Sequence, residues 1–211
     1  MKWLQCPVGP LQENAYILSN KEKESLIVDP GSEGKRLIHI IEEHSLKPLA
    51  ILLTHAHFDH IGAVDELRDH FSIPVYVHTN EQDWLSDSTK NGSLLFPIGK
   101  EVTARDADHL IKEEGCLTLG GFSFSVFETP GHSPGSVSFY NKEAGIVFSG
   151  DALFQGSIGR TDLPGGNHQQ LLESIHKKLL ELPEGTVVAP GHGPETTIGQ
   201  EMDTNPFLSG F

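Results

Sequence analysis

The chain has 211 residues, 37% of them hydrophobic, enough for one domain with a substantial core and too apolar for a disordered polymer. Fifteen basic residues against 29 acidic ones give a formal charge of -14, which repels a phosphate backbone or an anionic bilayer. Nucleic acid and membrane surfaces are therefore disfavoured as general partners.

The opening stretch, "MKWLQCPVGPLQENAYILS", has one lysine and no sustained apolar run. It is neither a secretory signal nor a membrane span, and the expected location is the cytoplasm. Residues 14 to 31, "NAYILSNKEKESLIVDPG", predict a hairpin: two β-rich runs joined by a charged turn and closed by Pro30-Gly31. Residues 34 to 46 place Leu37, Ile38, Ile41 and Leu46 near one face at helical spacing. "LAILL", 49 to 53, lies between Pro48 and Thr54 and predicts a short buried strand. "AVDELRDHF" then predicts a helix and "PVYVH", 74 to 78, another strand. From Cys116 the pattern becomes a meander, "CLTLGGFSFSVFETPG", "SVSFYN" and "GIVFSGD", each run ended by Gly, Asn or Pro. An amphipathic helix over 167 to 181 and a last strand in "TVVAPGHG" complete the series. Two halves of this kind, each a sheet with helices outside it, predict an α/β fold, an αββα sandwich of mixed sheets. Cys6 and Cys116, 110 residues apart and without paired spacing, predict structural thiols and neither a disulfide framework nor a thiolate metal site.

Four segments share one feature: an apolar β-like run stops and a His or Asp follows. They are "ILLTHAHFDH" (His55, His57, Asp59, His60), "VFETPGHSPG" (His132), "IVFSGD" (Asp151) and "VVAPGHG" (His192). Strand ends at a common edge are where α/β folds build sites. Gly131, Gly150, Gly191 and Gly193 would let the backbone bend sharply beside them. Neutral imidazoles and carboxylates suit Zn2+, Fe2+ or Mn2+, and a carboxylate with two oxygens can bridge two ions. His55 and His57, two apart, share one side of an extended segment, while Asp59 and His60 begin the next helix. The separate His39, His44, His70, His78, His109, His168 and His176 are expected to be ordinary core or surface histidines.

With "THAHFDHIG", "GHSPGS", "SGDALF" and "PGHG" in this order over about residues 14 to 194, the sequence resembles the metallo-β-lactamase fold hydrolases. That resemblance implies the αββα sandwich as one domain over residues 1 to 211 and two divalent ions, zinc first and iron or manganese as alternatives. One ion would be held by His55, His57 and His132, the other by Asp59, His60 and His192, with Asp151 bridging. Asp59 would also orient the hydroxide shared by the two ions. Within the superfamily the chain is most similar to short bacterial relatives of glyoxalase II, the hydroxyacylglutathione hydrolases, and "GSIGRTDLPGG", 156 to 166, looks like their segment after the bridging Asp. With 19 residues after His192, the C-terminal glutathione-binding helical domain of full-length glyoxalase II is not expected here.

The implied activity is hydrolysis of a small-molecule substrate, a thioester of the S-lactoyl-thiol type. Two other readings compete, β-lactam hydrolysis by the same hydroxide and an iron-dependent dioxygenase acting on persulfides. Arg160, in "IGRTD", is a candidate for a substrate carboxylate or else for a salt bridge with Asp162. "GSLLFPIG", 92 to 99, is expected near the site, with Leu94, Leu95 and Phe96 against an acyl group.

Overall fold

The computed structural model describes residues 1–96 and 101–209. The N-terminal half begins with three antiparallel strands, β1 (Lys2–Val8), β2 (Glu13–Ser19) and β3 (Glu24–Val28). Helix α1 (Gly34–Glu43) leads into β4 (Lys47–Leu52), and α2 (Phe58–Ile61) and α3 (Val64–Phe71) lead into β5 (Val75–His78). Strand β6 (His109–Ile111) closes a six-stranded sheet in the order β1-β2-β3-β4-β5-β6, parallel from β3 onward.

The second half opens with the meander β7 (Gly115–Leu119), β8 (Phe122–Glu128), β9 (Val137–Asn141) and β10 (Ile146–Gly150). A small hairpin, β11 (Leu153–Phe154) with β12 (Ser157–Ile158), precedes α4 (His168–Ser174), whose last turns widen to π-helix over Ile175–Leu179. Strand β13 (Val187–Pro190) runs parallel to β10, and β14 (Thr196–Thr197) and α5 (Ile198–Thr204) follow. The second sheet has the order β14-β13-β10-β9-β8-β7.

Strand periodicity explains how four layers form. In β2, Tyr16 and Leu18 point into the inter-sheet core while Ala15 and Ile17 point to the helices, and all four are buried. In β4, Ala50 and Leu52 face the other sheet, and Ile51 packs on the opposite side with Leu37 and Ile41 of α1 and Leu67 of α3. In β10, Ile146 and Phe148 face inward and Val147 meets Leu171, Ile175 and Leu179. Because successive side chains of a strand alternate faces, strands apolar on both faces must be covered on both. The result is the αββα sandwich read from the sequence. Leu37 and Ile41 are buried and Ile38 and Leu46 partly so, as the helical spacing required.

Several elements were not legible. Edge strand β1 pairs residue by residue with β2, yet carries alternating exposed residues and a proline. The two-residue strands β11, β12 and β14 are too short to carry a period, and α5 follows what reads as the last strand. Cys6 is buried as expected; Cys116 is exposed on edge strand β7, its thiol against the hydroxyls of Thr118 and Ser123. Among the described residues, no helix is long and apolar enough to cross a membrane.

Candidate metal centre

The parallel strands of both sheets end at the same edge of the sandwich, and each hands its next residues to that edge. Strand β4 ends at Leu52 and delivers His55 and His57; α2 then presents Asp59 and His60. From the second sheet, β10 delivers Asp151 and β13 delivers His192, while the β8–β9 connection carries His132. The glycines beside them serve two different needs. Gly131, Gly150 and Gly193 have φ of 130°, 50° and 77°, a region that side chains other than glycine rarely adopt. Gly191 is needed for space: a Cβ there would collide with Asp151 Oδ1 and lie 2.8 Å from His60 Cε1.

All seven sequence candidates converge. Ligand-capable atoms of His55, His57 and His132 lie within 4.8 Å of one another, and so do those of Asp59, His60 and His192. Asp151 spans the two groups: Oδ1 is 3.5 Å from His60 Nε2, and Oδ2 is 3.5 Å from His132 Nε2 and 3.7 Å from His192 Nε2. Asp59 Oδ2 lies 3.2 Å from His192 Nε2, and His57 Nδ1 lies 2.9 Å from His132 Nε2. Among the described residues, the histidines held aside as ordinary, His39, His78 and His109 among them, belong to no such group.

Neighbouring acceptors fix how the rings face. His132 Nδ1 donates to the Arg160 carbonyl at 2.8 Å and His192 Nδ1 to the Leu11 carbonyl at 3.2 Å. His60 Nδ1 donates to Asp29 Oδ2 at 3.1 Å, and His55 Nδ1 donates to Thr54 Oγ1 at 3.1 Å. Thr54 in turn donates its hydroxyl and its backbone N–H to the two oxygens of Asp29, at 2.5 and 2.7 Å. Each of these four rings therefore carries its proton on Nδ1 and turns the Nε2 lone pair inward, the tautomer that a metal ligand requires. Asp29, although close to His55 and His60, has both oxygens engaged and serves to hold them.

Buried atoms without a partner test whether ions fit. Nε2 of His55 and of His60, and Oδ1 of Asp151, make no hydrogen bond among the described residues. Stranding that many buried polar atoms is expensive unless a cation accepts their lone pairs. Electrostatics agree. Burial holds His55 far below the ordinary imidazole range and His57 down at about 3, so both are neutral and ready to ligate. Burial also opposes charge on His60, Asp59 and Asp151, yet Asp151 and Asp59 drive His60 upward, while His60 in turn lowers both carboxyls. A site that calls for positive charge among neutral imidazoles and ionised carboxylates suits divalent cations.

A cavity of about 400 Å³ opens over this centre. Its wall is mostly apolar, with Leu11, Phe58, Phe96, Phe154, Ile158 and Leu163, and carries Asn91, Ser157 and Arg160 as polar groups beside the candidate ligands. Both alternatives for Arg160 hold geometrically: it lines the cavity with its guanidinium 5.9 Å from the Phe96 ring centroid, and it makes two 2.7 Å bonds to Asp162. The expectation for the preceding loop needs correction. Phe96 does form part of the wall and packs against Phe58 with the rings tilted by 42°, but Leu94 and Leu95 are absent from it and remain exposed, because their short 3-10 turn directs them to solvent. Residues 97 to 99 of that segment lie outside the described residues.

Sequence reading missed the residues behind the ligands: Asp29, Thr54 and the buried carboxylate Glu81. For Asp29 a signal existed. "SLIVDPG" is another apolar run ended by an aspartate, the feature that flagged Asp151, but the following Pro-Gly presented it as turn chemistry.

Comparison with known proteins places these observations. Residues 8–192 match the metallo-beta-lactamase superfamily. The chain is 59% identical over 211 residues to YqgX of Bacillus subtilis, named a probable metallo-hydrolase, with 100% of this chain and 99% of the relative covered. It is 41% identical over 204 residues to the hydroxyacylglutathione hydrolase GloC of Haemophilus influenzae, with 96% of each covered. Among solved structures, the BLEG-1 B3 metallo-beta-lactamase superposes with a TM-score of 0.97 at 61% identity, covering 99% of this chain and 100% of that one. TTHA1623 in a di-iron-bound form superposes with a TM-score of 0.87 at 44% identity, covering 97% and 100%.

Proposed function

Since the chain belongs to the metallo-β-lactamase superfamily and is a metal-dependent hydrolase of that fold, we propose that it hydrolyses thioesters of the S-lactoyl-thiol type at two divalent ions. In this reading His55, His57 and His132 would hold one ion and Asp59, His60 and His192 the other, with the Asp151 carboxylate placed between the two groups. Zinc is the first expectation from the nitrogen and oxygen donors, and the di-iron form of TTHA1623 makes iron the alternative to test. Bound there, such ions supply a water deprotonated near neutral pH, its pKa lowered from 15.7 to about 7, and a Lewis acid for a carbonyl oxygen.

The chain's own residues do the rest. Asp59, at the cavity floor, orients the attacking water through a carboxylate oxygen, and the apolar wall excludes bulk water and holds the acyl and thiol arms. One observation supports thioesters: apart from the candidate ligands, Arg160 is the one titratable side chain among the described residues that line the cavity. Arginine does not donate a proton at physiological pH. A thiolate, whose parent acid has a pKa near ~8.5, departs without one, whereas an amide nitrogen must be protonated. The likeness to GloC supports the same choice.

The likeness to BLEG-1 favours a second reading, opening of a strained β-lactam at the same centre. The test is metal analysis of purified protein together with kcat/KM for a lactoyl thioester and for a chromogenic β-lactam. Two ions and a higher kcat/KM for the thioester support the first reading; a higher value for the lactam replaces it with the second. One iron with oxygen uptake on a persulfide would overturn both.

A further inference from the structure

Glu81 follows β5 in a single 3-10 turn and is fully buried, with 0% of its surface exposed. A carboxylate so placed must be satisfied by donors, and here the donors belong to two different segments of the chain. Oε2 accepts the backbone N–H of Ala56 at 2.6 Å, and Oε1 accepts that of Gly135 at 2.7 Å. The Ser133 hydroxyl adds a further bond. Ala56 stands between His55 and His57, on the segment leaving the first sheet. Gly135 stands three residues beyond His132, in the β8–β9 connection of the second. Contact is close on that side, since a Cβ on Gly135 would lie 2.9 Å from Glu81 Cγ.

We propose that Glu81 is a positioning residue, whose carboxylate clamps these two segments together and so sets the spacing of the His55, His57 and His132 group. The inference rests on the reading that this group holds an ion. His60 and His192 are held by other groups, Asp29 and the Leu11 carbonyl, and neither is bonded to Glu81. The clamp therefore acts on one ion more than on the other. Glutamine cannot replace it: an amide has one acceptor oxygen, so its NH2 must face one of the two N–H donors. The two segments also share a backbone bond that does not involve Glu81, Val137 N–H to the Thr54 carbonyl at 2.8 Å.

The experiment compares Glu81→Gln with Glu201→Gln. Glu201 is an equally buried carboxylate that accepts from Gly156, Thr196 and Asn205, away from all seven candidate ligands. Metal-loaded proteins are titrated with a competing chelator, and the metal-free proteins are crystallised. Glu81→Gln should release one ion about 10- to 100-fold more readily and keep the other, as expected for loss of an outer partner of a metal ligand. Its His57–His132 separation should exceed the present 2.9 Å by more than about 0.5 Å. Glu201→Gln should change neither quantity. Unchanged release and spacing in Glu81→Gln, or equal loss in both variants, overturns the proposal. If the wild type binds no ions, the metal assignment fails, and the His57–His132 spacing in the metal-free crystals still decides the role of Glu81. Should Glu81→Gln fail to fold, Gly135→Ala, which presses on the clamp from its other side, is read in the same two ways.

Discussion

Replacing Asp29 by Asn perturbs His60 directly and His55 through Thr54. Asp29 receives three bonds, from the Thr54 N–H at 2.7 Å, the Thr54 hydroxyl at 2.5 Å and His60 Nδ1 at 3.1 Å. An asparagine amide offers one oxygen, which the Thr54 N–H keeps, and sets an NH2 group where Oδ2 stood. Facing that donor, His60 Nδ1 is better off unprotonated, which moves the ring proton to Nε2, the atom 3.5 Å from Asp151. A protonated Nε2 cannot ligate, so the ion shared by Asp59, His60 and His192 loses a donor or must reverse the tautomer against the amide. Outer-partner substitutions of this kind weaken metal affinity about 10- to 100-fold, or about 1.4 to 2.8 kcal/mol. The metal-free protein should also lose about 1–3 kcal/mol of stability for disrupted buried bonds to a charged group. Chelator competition reads the first effect and urea unfolding the second. Asp29→Asn protein that keeps both ions at wild-type affinity would refute the tautomer argument, and so would weakening confined to the ion of His55, His57 and His132.

His57→Ala should lower turnover by more than about 100-fold, beyond what loss of an outer partner does, while circular dichroism stays that of the wild type; an active variant rejects the assignment of this ligand. Arg160→Ala should raise KM more than it lowers kcat for a thioester carrying a carboxylate, and Asp162→Asn should lower that KM by freeing the guanidinium; no change in either returns the arginine to a structural pair. The hydrogen bonds from Arg160 hold Asp162 at about 2, below its unfolded value, so what the pair contributes is present above about pH 3.9 and lost as pH falls toward 2. The KM of that substrate should consequently show no inflection from this pair between about pH 5 and 9, which a pH series of wild type against Asp162→Asn checks. Tyr16→Phe removes a buried hydroxyl that donates to the Pro190 carbonyl at 2.8 Å just before the His192 turn. Because Asn14 still donates to the same carbonyl at 3.0 Å, the loss should stay near 1 kcal/mol in urea unfolding, and a value above about 3 would mean the His192 turn itself depends on Tyr16.

What the sequence carried and what it hid divide along a physical line. A strand buried on both faces, such as "AYIL" or "LAILL", is written as a continuous apolar run, and a chain that must leave such a strand for a polar edge changes composition abruptly there. That is why His55, His57, His132, Asp151 and His192 could be found by one rule, and why their convergence followed from the strand order. Residues that act through a single long-range hydrogen bond leave no such mark. Glu81 sits in "HTNEQ", polar on both sides, and its partners Ala56 and Gly135 are 25 and 54 residues away. Nothing local separates it from a solvated glutamate until the β4 and β9 ends are brought together. Ligands in this fold are thus legible because strand ends deliver them, and the groups that hold the ligands at the right spacing are legible only from the packing of one sheet against the other.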